Sequence, residues 1–387
     1  MTAASATRPR TALRAPSPGR LLPRPARRSW WSDVVALAAW ASVLTVVVLW
    51  VRGGGLQGLV SGTGSALTSL GRLTGLVSAD LLLLQGLAMA RIPVVERAVG
   101  QDRLARWHRL AGFTSFALLL AHVLGVTLGY AATAGTEVLA QFWSLVTTAP
   151  GMLLATAGTA ALVAVVLTSL RAARRRLRYE SWHLLHLYAY LGAGLALPHQ
   201  LWTGADFLES PTATAYWWSL WACAAGSVLA FRVAAPLLLS ARHRLTVSRV
   251  VTEGPDVVAV YLTGRRLESL RVSAGQFFVW RFLTGPGWTR GHPLSLSAAP
   301  TTAGLRVTIG TRGDDGARLA SLEPGTRALV EGPYGRLTAD LRVRRRVAAI
   351  AAGVGIAPLL ALLDESVARG TDDAAPVLVH RARSAED

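Results

Sequence analysis

The sequence predicts a membrane all-α bundle of six helices, then a small antiparallel β-barrel, then the truncated start of an α/β domain. Hydrophobic residues make up 52% of the 387 residues and charged residues 16%, whereas a soluble domain usually carries about 25% charged residues. The long apolar stretches all lie before residue 240, and short alternating stretches with Gly and Pro turns follow them.

Composition excludes several kinds of chemistry. All 40 basic residues are Arg, so the chain has no Lys for a Schiff base or a phosphate-binding loop. The single cysteine, Cys223, excludes intrachain disulfides, an all-cysteine zinc site and a Cys-ligated iron–sulfur cluster. The net charge of +18 raises the question of a nucleic-acid partner, which the position of the Arg residues answers below.

The first 28 residues are expected to form a disordered basic cytoplasmic tail. Residues 1–28 hold seven Arg, five Pro and no acidic residue, which is too polar and too proline-rich to form a core. The apolar run after the tail is as long as a full span and shows no clear small-residue cleavage site. The tail is therefore not interpreted as a secretory signal.

Six apolar stretches follow, each near the roughly 20 residues that cross a bilayer. Trp residues mark many of their ends, as expected for an aromatic belt at the membrane surfaces. We therefore expect a six-span domain over residues 29–240. The predicted spans are Trp30–Val51, Leu70–Ala90, Leu104–Tyr130, Thr147–Leu170, Ser181–Trp202 and Ala215–Leu238.

The Arg residues sort to one side of these spans. The tail, Arg91–Arg109 and Arg171–Glu180 hold seven, five and five Arg, whereas the intervening segments hold only Arg52 and Arg72. This bias predicts both termini inside, in the plasma membrane. The run Arg171–Arg178 is interpreted as a topology anchor near anionic lipid. The sorting accounts for much of the basic charge, so no nucleic-acid partner is expected.

Four histidines lie at two matched depths. His108 and His122 are 14 residues apart in the third span, and His186 and His199 are 13 apart in the fifth, or about 21 and 20 Å along a helix. Because both spans run from inside to outside, each places one histidine near the inner surface and one nearer the outer surface. Two such levels on facing helices can hold two stacked haems, each bound by two imidazoles.

The helical angle between the histidines is a test of this interpretation. Fourteen residues return to nearly the same face of an ideal helix, but 13 residues do not. The fifth span therefore needs a bulge or kink, for which Gly192, Gly194 and Pro198 are plausible places. A histidine in a span can also be a hydrogen-bonded interior residue, although intramembrane ionisable groups are costly and are functional by default.

Two further polar residues of the spans have open roles. His183, one turn before His186, is either a neighbour of a haem ligand or propionate, or an alternative ligand. Asp80, near the centre of the second span, is interpreted first as an interior group satisfied by neighbouring hydroxyls. The other interpretation of Asp80 is a proton path or a group that tunes a haem.

After Leu239 the pattern changes to short strands. An antiparallel barrel is expected over residues 241–340. Within it, the motif His292-Pro-Leu-Ser-Leu-Ser297 places two hydroxyls beside a ring-bearing residue, and such a set could hold a flavin and its phosphates. The predicted strands lie in Arg244–Thr263, around a turn at Glu253–Asp256, and near Phe277–Phe282, Leu305–Thr311 and Arg327–Glu331.

Residues 341–387 are predicted to be a partial NAD(P)-binding domain. An apolar strand leads into Gly353-Val-Gly355-Ile-Ala-Pro358 and a helix, Leu359–Arg369. Glycine lets a backbone approach a phosphate, and a helix N-terminus favours its charge. The motif departs from G-x-G-x-x-G because Pro358 stands at the third glycine. One strand–helix–strand unit is too small for a stable domain, so we expect a truncation or a degenerate half-domain.

Taken in their order along the chain, the paired histidines, the flavin motif and the nucleotide loop resemble the ferric reductase / NADPH oxidase superfamily in its bacterial form, with a ferredoxin-reductase-type FAD domain. The resemblance covers about residues 30 to 387. The two further motifs that carry the resemblance are Glu331-Gly-Pro-Tyr-Gly335 and Ala352-Gly-Val-Gly-Ile-Ala-Pro358. The resemblance implies two b-type haems, and the 13-residue spacing is the family's own. The implied haem-iron ligands are His108 with His186 and His122 with His199.

The resemblance also implies cofactor contacts in the second half of the chain. The flavin motif is matched by His292, Pro293 and Ser295, with Ser297 as a further hydroxyl, and Leu294 stands where the family has Phe. The nucleotide loop is matched by Gly353, Gly355 and Pro358.

Two elements of the family pattern are missing. Family members usually carry a Ser or Thr at a downstream helix start, where it contacts the flavin pyrophosphate, but Gly313–Leu319 has neither. The family's later Cys-Gly-Pro motif is also absent from this sequence.

The implied reaction is stepwise electron transfer. NAD(P)H reduces FAD inside, single electrons pass to the inner and then the outer haem, and a small-molecule acceptor such as ferric iron is reduced outside. No catalytic dyad or nucleophile is required. The alternatives are a superoxide-generating oxidase, a haem subunit fed by quinol or a partner protein, and a non-enzymatic haem or sensor module. The lipid bilayer is an expected partner and a homo-oligomer is allowed. The acceptor and the choice between NADH and NADPH stay open.

Overall fold

The chain divides into two compact units. The computed structural model describes residues 19–24, 30–208, 210–312, 314–342, 347–370 and 376–381. One unit, here the helical unit, runs from Arg28 to Arg232. The other, here the strand unit, combines residues up to Arg27 with Val233–Asp387. Most of the predicted basic tail lies outside the described residues.

The predicted apolar stretches are all helical, and all but the end of the last one lie in the helical unit. Left-handed glycines mark the ends of several of them, such as Gly135 after α5 and Gly151 before α7, because glycine adopts this conformation without a steric cost. The helices are α1 (Trp31–Arg52), α2 (Gly55–Val60), α3 (Thr63–Met89), α4 (Pro93–Val99), α5 (Gln101–Ala134), α6 (Val138–Thr148), α7 (Met152–Ser169), α8 (Arg171–Arg174), α9 (Tyr179–Trp202), α10 (Ala205–Leu208) and α11 (Pro211–Val228).

Five helices in the described part of the chain are long and apolar enough to cross a membrane. They are α1, α3, α5, α7 and the continuous helix Pro211–His243, in which α11 passes through a π-helical segment, Leu229–Ala234, into α12 (Ala235–His243). The predicted fifth span coincides with α9, a 24-residue helix. Three histidines and Gln200 make α9 more polar than the other five, so the count of six spans stays a prediction.

Glycines bring two pairs of helices into backbone contact, α3 with α5 and α7 with α9. A Cβ on Gly125 of α5 would lie 3.0 Å from the Cα of Gly71 of α3, and a Cβ on Gly158 of α7 would lie 2.6 Å from the carbonyl oxygen of Gly192 of α9. Close approach at small residues is the main source of helix association in a membrane. These contacts set the spacing of the helices that carry the histidines.

Among its described residues the strand unit contains eight strands and three α-helices, of which α12 has been given above. The predicted strands of the first half are all present, including the hairpin around the turn at Glu253–Asp256. The elements are β1 (Thr246–Gly254), β2 (Val257–Thr263), β3 (Phe277–Phe282), β4 (His292–Ser295), β5 (Leu305–Gly310), α13 (Asp314–Ala320), β6 (Ala328–Tyr334), β7 (Ala348–Ala352), α14 (Ala357–Ala368) and β8 (Val377–Arg381).

The first six strands form two antiparallel sheets where the sequence predicts a barrel. The sheet orders are β1-β2-β5 and β4-β3-β6. Single bridges, Leu296 to Val307 and Thr246 to Arg327, join the edges of the two sheets. The sheets enclose one core, into which β3 points alternate side chains, Phe278, Trp280 and Phe282. This alternation is the period of two that a strand imposes.

Part of the predicted disordered tail is ordered. The N-terminal segment, Gly19–Arg24, packs against the strands: Leu22 is fully buried in their core. The backbone N–H of Leu22 donates to the carbonyl of Pro300, and the N–H of Val272 donates to the carbonyl of Pro23. The prediction of disorder was wrong for these six residues. It rested on the basic composition of the whole tail and overlooked that Leu22 could be buried.

A buried carboxylate ties the N-terminal segment to α14. Glu365 of α14 is fully buried and accepts hydrogen bonds from Arg24 (3.3 Å), Arg369 (2.9 Å) and the backbone N–H of Ala274 (3.1 Å). A buried charge is tolerated when it is paired and hydrogen-bonded in this way. The arrangement holds the segment, the sheets and α14 together.

Candidate functional site

The four predicted haem ligands meet as two pairs of rings. His108 of α5 faces His186 of α9, with ring centroids 5.8 Å apart and ring planes at 71°. His122 and His199 of the same two helices face each other at 6.3 Å and 47°. The structure therefore brings together the residues in the pairing that the sequence predicts.

His122 and His199 are here called the outer pair, after their predicted depth in the membrane. Short hydrogen bonds at Nδ1 hold both rings. The Nδ1 of His122 donates to the carbonyl oxygen of Gly71, 2.8 Å away. The Nδ1 of His199 lies 2.6 Å from Oγ1 of Thr203. That hydroxyl donates to the carbonyl of His199 at 2.8 Å, so its oxygen accepts from Nδ1. A proton at Nδ1 leaves the lone pair of Nε2 available on both rings.

His108 and His186, here called the inner pair, have longer contacts at Nδ1. His108 lies 3.4 Å from the carbonyl oxygen of Gln85, and His186 lies 3.3 Å from the hydroxyl of Ser169. Trp182 stacks on His186 with centroids 5.1 Å apart, and the guanidinium of Arg174 lies over Trp182 at 4.5 Å. The ring of His186 is thus oriented by one hydroxyl and one aromatic face.

The separation of the rings fits a metal between them. Two metal–nitrogen bonds of about 2 Å, with about 1 Å from each nitrogen to its ring centre, place two centroids about 6 Å apart. The observed separations of 5.8 and 6.3 Å agree with this. Among the described residues, no group of three or more His, Cys, Asp or Glu could hold a bare metal ion. A cofactor that needs two imidazoles per iron fits the donor set.

Small residues make room for the outer rings. A Cβ on Gly75 of α3 would lie 2.5 Å from Nδ1 of His122, and one on Gly151 would lie 2.8 Å from the backbone nitrogen of His199. Helix α9 has Pro198 in its interior, directly before His199. Both histidines of α9 face α5, so the 13-residue spacing does not prevent the pairing.

His183 and Asp80 lie outside the two ring pairs. The ring of His183 is 6.5 Å from that of Trp182. Asp80 is fully buried, and its Oδ1 accepts from Ser42 and Tyr216, each at 2.7 Å. Asp80 thereby joins α3 to α1 and α11. Hydroxyl partners are what the favoured interpretation of Asp80 predicts.

In the strand unit, His292 begins β4 and is buried. Burial lowers the pKa of His292 below its usual value. The nearby Asp315 carboxylate opposes this, whereas the guanidinium groups of Arg318, Arg290 and Arg281 add to it. The Nε2 of His292 lies 3.0 Å from a guanidinium nitrogen of Arg318. Because guanidinium only donates, Nε2 is the acceptor and the imidazole is neutral.

The remaining residues of the flavin motif differ in their exposure. Pro293 is exposed and Ser295 is half-buried. Ser297 is 2% exposed, and its hydroxyl has no hydrogen-bond partner in the described part of the chain. A buried hydroxyl without a partner is unusual and fits a place where a cofactor atom completes the bonding.

The predicted nucleotide loop has the expected local form. Strand β7 pairs in parallel with β8, and a 3-10 turn, Gly353–Ile356, leads from β7 into α14, which has Pro358 in its first turn. A Cβ on Gly353 or Gly355 would meet nothing within 4 Å. The loop surface is therefore open to a phosphate-bearing ligand.

Some residues of these sites were not predicted from the sequence. Thr203 lies four residues after His199, a spacing that shares a helix face, so it could have been found. Ser169 and Arg318 act across a contact between separate elements, and no local pattern marks them.

The membrane half of the chain matches a known family. Residues 74–197 match the family described as "Ferric reductase like transmembrane component". Over 156 residues the chain is 31% identical to the protein-methionine-sulfoxide reductase heme-binding subunit MsrQ of Klebsiella pneumoniae, covering 40% of this chain and 72% of that protein. The chain is therefore a membrane oxidoreductase. It belongs to the ferric reductase-like transmembrane family.

The other matches have names of reductases and of FAD/NAD-binding domains. The chain is 36% identical over 100 residues to the ferredoxin–NAD(+) reductase component of the Xanthobacter autotrophicus alkene monooxygenase system, covering 25% of this chain and 29% of that protein. Among solved structures, the FAD/NAD-binding domain of Vibrio cholerae nitric oxide dioxygenase is matched at 21% identity and a TM-score of 0.32, covering 37% of this chain and 64% of that chain. The chain thus spans less than two thirds of each.

Proposed function

We propose that the chain is a transmembrane reductase that moves electrons from cytoplasmic NAD(P)H, through FAD and two b-type haems, to an acceptor outside the membrane such as ferric iron. The observation that carries this proposal is the pair of facing imidazoles at each of two levels. The MsrQ relative, whose name describes a haem-binding subunit, supports haem as the group held there. When bound, haem and flavin supply the one-electron chemistry.

The residues of the chain have a positioning role in this proposal. Carbonyl and hydroxyl acceptors at Nδ1 keep the imidazoles of His108, His122 and His199 in the tautomer that presents Nε2. The apolar helices around the rings keep water away and fix the ring separation. In the strand unit, His292, Ser295 and Ser297 would bind the flavin, with Pro293 shaping the strand. Gly353, Gly355 and Pro358 would receive the nucleotide.

The N-terminal segment supports six membrane crossings. It packs into the core of the strand unit, so we expect the segment before α1 and the strands after His243 to lie on the same side of the membrane. The number of crossings is then even, whereas five helices meet the apolar criterion. Helix α9, with 24 residues, is about 36 Å long and can supply the sixth crossing. The Arg-rich segments support an orientation with both termini cytoplasmic.

A second candidate function follows from the same relative. MsrQ is named as the heme-binding subunit of a protein-methionine-sulfoxide reductase, and the MsrQ match favours a haem subunit that exchanges electrons with a partner protein. The strand unit favours the first candidate, because it brings its own sites for a flavin and a nucleotide. Reduction of the haems by NAD(P)H in purified protein with FAD supports the first candidate. Reduction only by a quinol or a partner supports the second.

The test of the haem sites is haem per chain in purified protein, with a reduced-minus-oxidised spectrum. We expect two b-type haems per chain. His122→Leu is expected to remove the outer haem alone, because its partner His199 then has no second imidazole. His183→Leu, on α9 but outside both ring pairs, is the matched control and should keep both haems. Absence of haem from folded protein, or loss of both haems or neither in His122→Leu, contradicts the proposed sites.

A further inference from the structure

Arg318 reaches the flavin motif from helix α13. One guanidinium nitrogen lies 3.0 Å from Nε2 of His292, and the other donates to the carbonyl of Pro286 at 3.2 Å. Both partners are neutral. Among the side chains that the structure describes, no carboxylate accepts from Arg318. Among those described side chains, its charge is therefore held beside a neutral ring with no opposing charge in contact.

Two other guanidinium groups lie near the same ring. Arg281 of β3 and Arg290 before β4 both add positive potential at His292. Arg290 pairs with Asp315 at 3.0 Å, and Arg281 lies 3.6 Å from Glu331. We call Arg281, Arg290 and Arg318 the arginine cluster. Among the described side chains, two carboxylates pair with these three cations, so the described part of the cluster carries an excess positive charge and favours an anionic ligand.

The structure also explains why α13 carries no hydroxyl side chain at position 316. A Cβ at Gly316 would lie 2.6 Å from the carbonyl oxygen of Gly310, which belongs to β5. Any side chain at Gly316 would displace that backbone. Residues Gly313–Leu319 contain no Ser or Thr, and Arg318 is the side chain of α13 that reaches His292.

We propose that Arg318 is a phosphate-binding residue of the flavin site and takes the place of the missing hydroxyl. The ligand group is a phosphate of the flavin cofactor. A guanidinium presents paired N–H donors in a planar fork that matches phosphate oxygens. This inference rests on the proposed flavin-dependent function and adds a residue to its binding site.

The test compares flavins that differ only in their phosphates. Affinities of the purified full-length chain, freed of flavin, are measured for FAD, FMN and riboflavin by quenching of flavin fluorescence. Arg318→Met is expected to weaken FAD binding about 10- to 100-fold, the range for hydrogen bonds to a charged group. Riboflavin, which has no phosphate, should bind the variant and the wild type alike, and so reports that the site is still folded.

A matched control and a conservative variant sharpen the result. Arg312 lies just before α13, is 60% exposed and pairs with Asp256 outside the arginine cluster, so Arg312→Met should leave all three affinities unchanged. Arg318→Lys keeps the charge without the fork and should fall between the wild type and Arg318→Met. Loss with both FAD and FMN assigns the phosphate next to the ribityl chain. Loss with FAD alone assigns the second phosphate.

Three results would overturn the inference. If Arg318→Met binds FAD as tightly as the wild type, Arg318 is not a phosphate ligand, and the proposed function stands. If the variant loses riboflavin as much as FAD, Arg318 has a structural role only. If the wild-type chain binds no flavin at all, the proposed flavin site fails, and this inference fails with it.

Discussion

The four facing histidines differ in the strength of their Nδ1 hydrogen bonds. In the outer pair the partner oxygens lie 2.8 and 2.6 Å from Nδ1, and in the inner pair 3.4 and 3.3 Å. A strong acceptor at Nδ1 makes the imidazole more basic and favours the oxidised metal. The outer site should therefore have the lower midpoint potential of the two, if all else is equal.

Removing one acceptor tests this reasoning. Thr203→Val takes the acceptor from His199 and should raise the midpoint potential of the outer haem while the inner haem keeps its value. The measurement is a redox titration followed by visible absorption. Thr147→Val is the control, because Thr147 also donates to the carbonyl four residues before it but has no histidine partner. A potential that moves equally in both variants would show that the hydroxyl acts only through the helix.

His292 is expected to give the strand unit a pH-dependent stability. Its folded pKa is lowered, mainly by burial, so between that value and the unfolded value of about 6.5 the unfolded chain binds more protons. The stabilising contribution is thus present above about pH 6.5 and is lost as the pH falls through the folded pKa.

The measurement for His292 is the thermal midpoint of the purified chain at about pH 7.5 and about pH 5, on either side of the usual histidine pKa. The wild type should lose more stability on acidification than His292→Gln, which cannot be protonated. Equal losses in the two proteins would show that His292 does not titrate in this range.

At the residue level, the sequence predicted which histidines face each other but not the groups that hydrogen-bond to them. The pairing of His108 with His186 and of His122 with His199 came from spacing, because a regular helix converts residue number into depth. Gln85 and Gly71 contribute backbone carbonyls, which no side-chain pattern reveals. Arg318 reaches His292 only because α13 folds back over β4.

Among the elements, the close contact of α7 with α9 is the one on which the histidine pairs depend. Gly158→Val should push α9 away, because its Cβ would lie 2.6 Å from the carbonyl oxygen of Gly192. We expect this variant to lose haem and thermal stability together. Gly194→Val adds the same side chain to α9 where nothing lies within 4 Å, and it should keep both. Full haem content in Gly158→Val would mean that α9 is positioned by other contacts.

The strands were easier to predict than their assembly. A short strand was predicted near Phe277–Phe282, and β3 spans these residues with every second side chain buried. Whether six such strands form one barrel sheet or two sheets depends on contacts between distant residues, such as Leu296 with Val307. The order of the N-terminal segment was missed for a similar reason, since its burial is created by strands that lie far along the chain.

For the whole molecule, the sharpest prediction concerns the sides of the membrane. In a Cys223→Ser background, single cysteines at Ser5 and Glu323 should react with an impermeant maleimide only after cells are permeabilised. Thr136→Cys, between α5 and α6, should react in intact cells. Labelling of Ser5→Cys and Glu323→Cys on opposite sides would exclude an even number of crossings and remove α9 as a span.

The N-terminal segment also has a consequence for how the protein is made. Arg20 and its hydrogen-bond partner Thr302 are 282 residues apart, so the N-terminal segment completes a core whose strands leave the ribosome much later than the segment itself. Closing so long a loop costs only about 2 kcal/mol more than closing a 20-residue loop. Insertion with an odd number of crossings would place Leu22 and the strands on opposite sides of the bilayer. The position of Leu22 in the core would then be empty. The strand unit is therefore expected to complete its core only when the helical unit has been inserted with an even number of crossings.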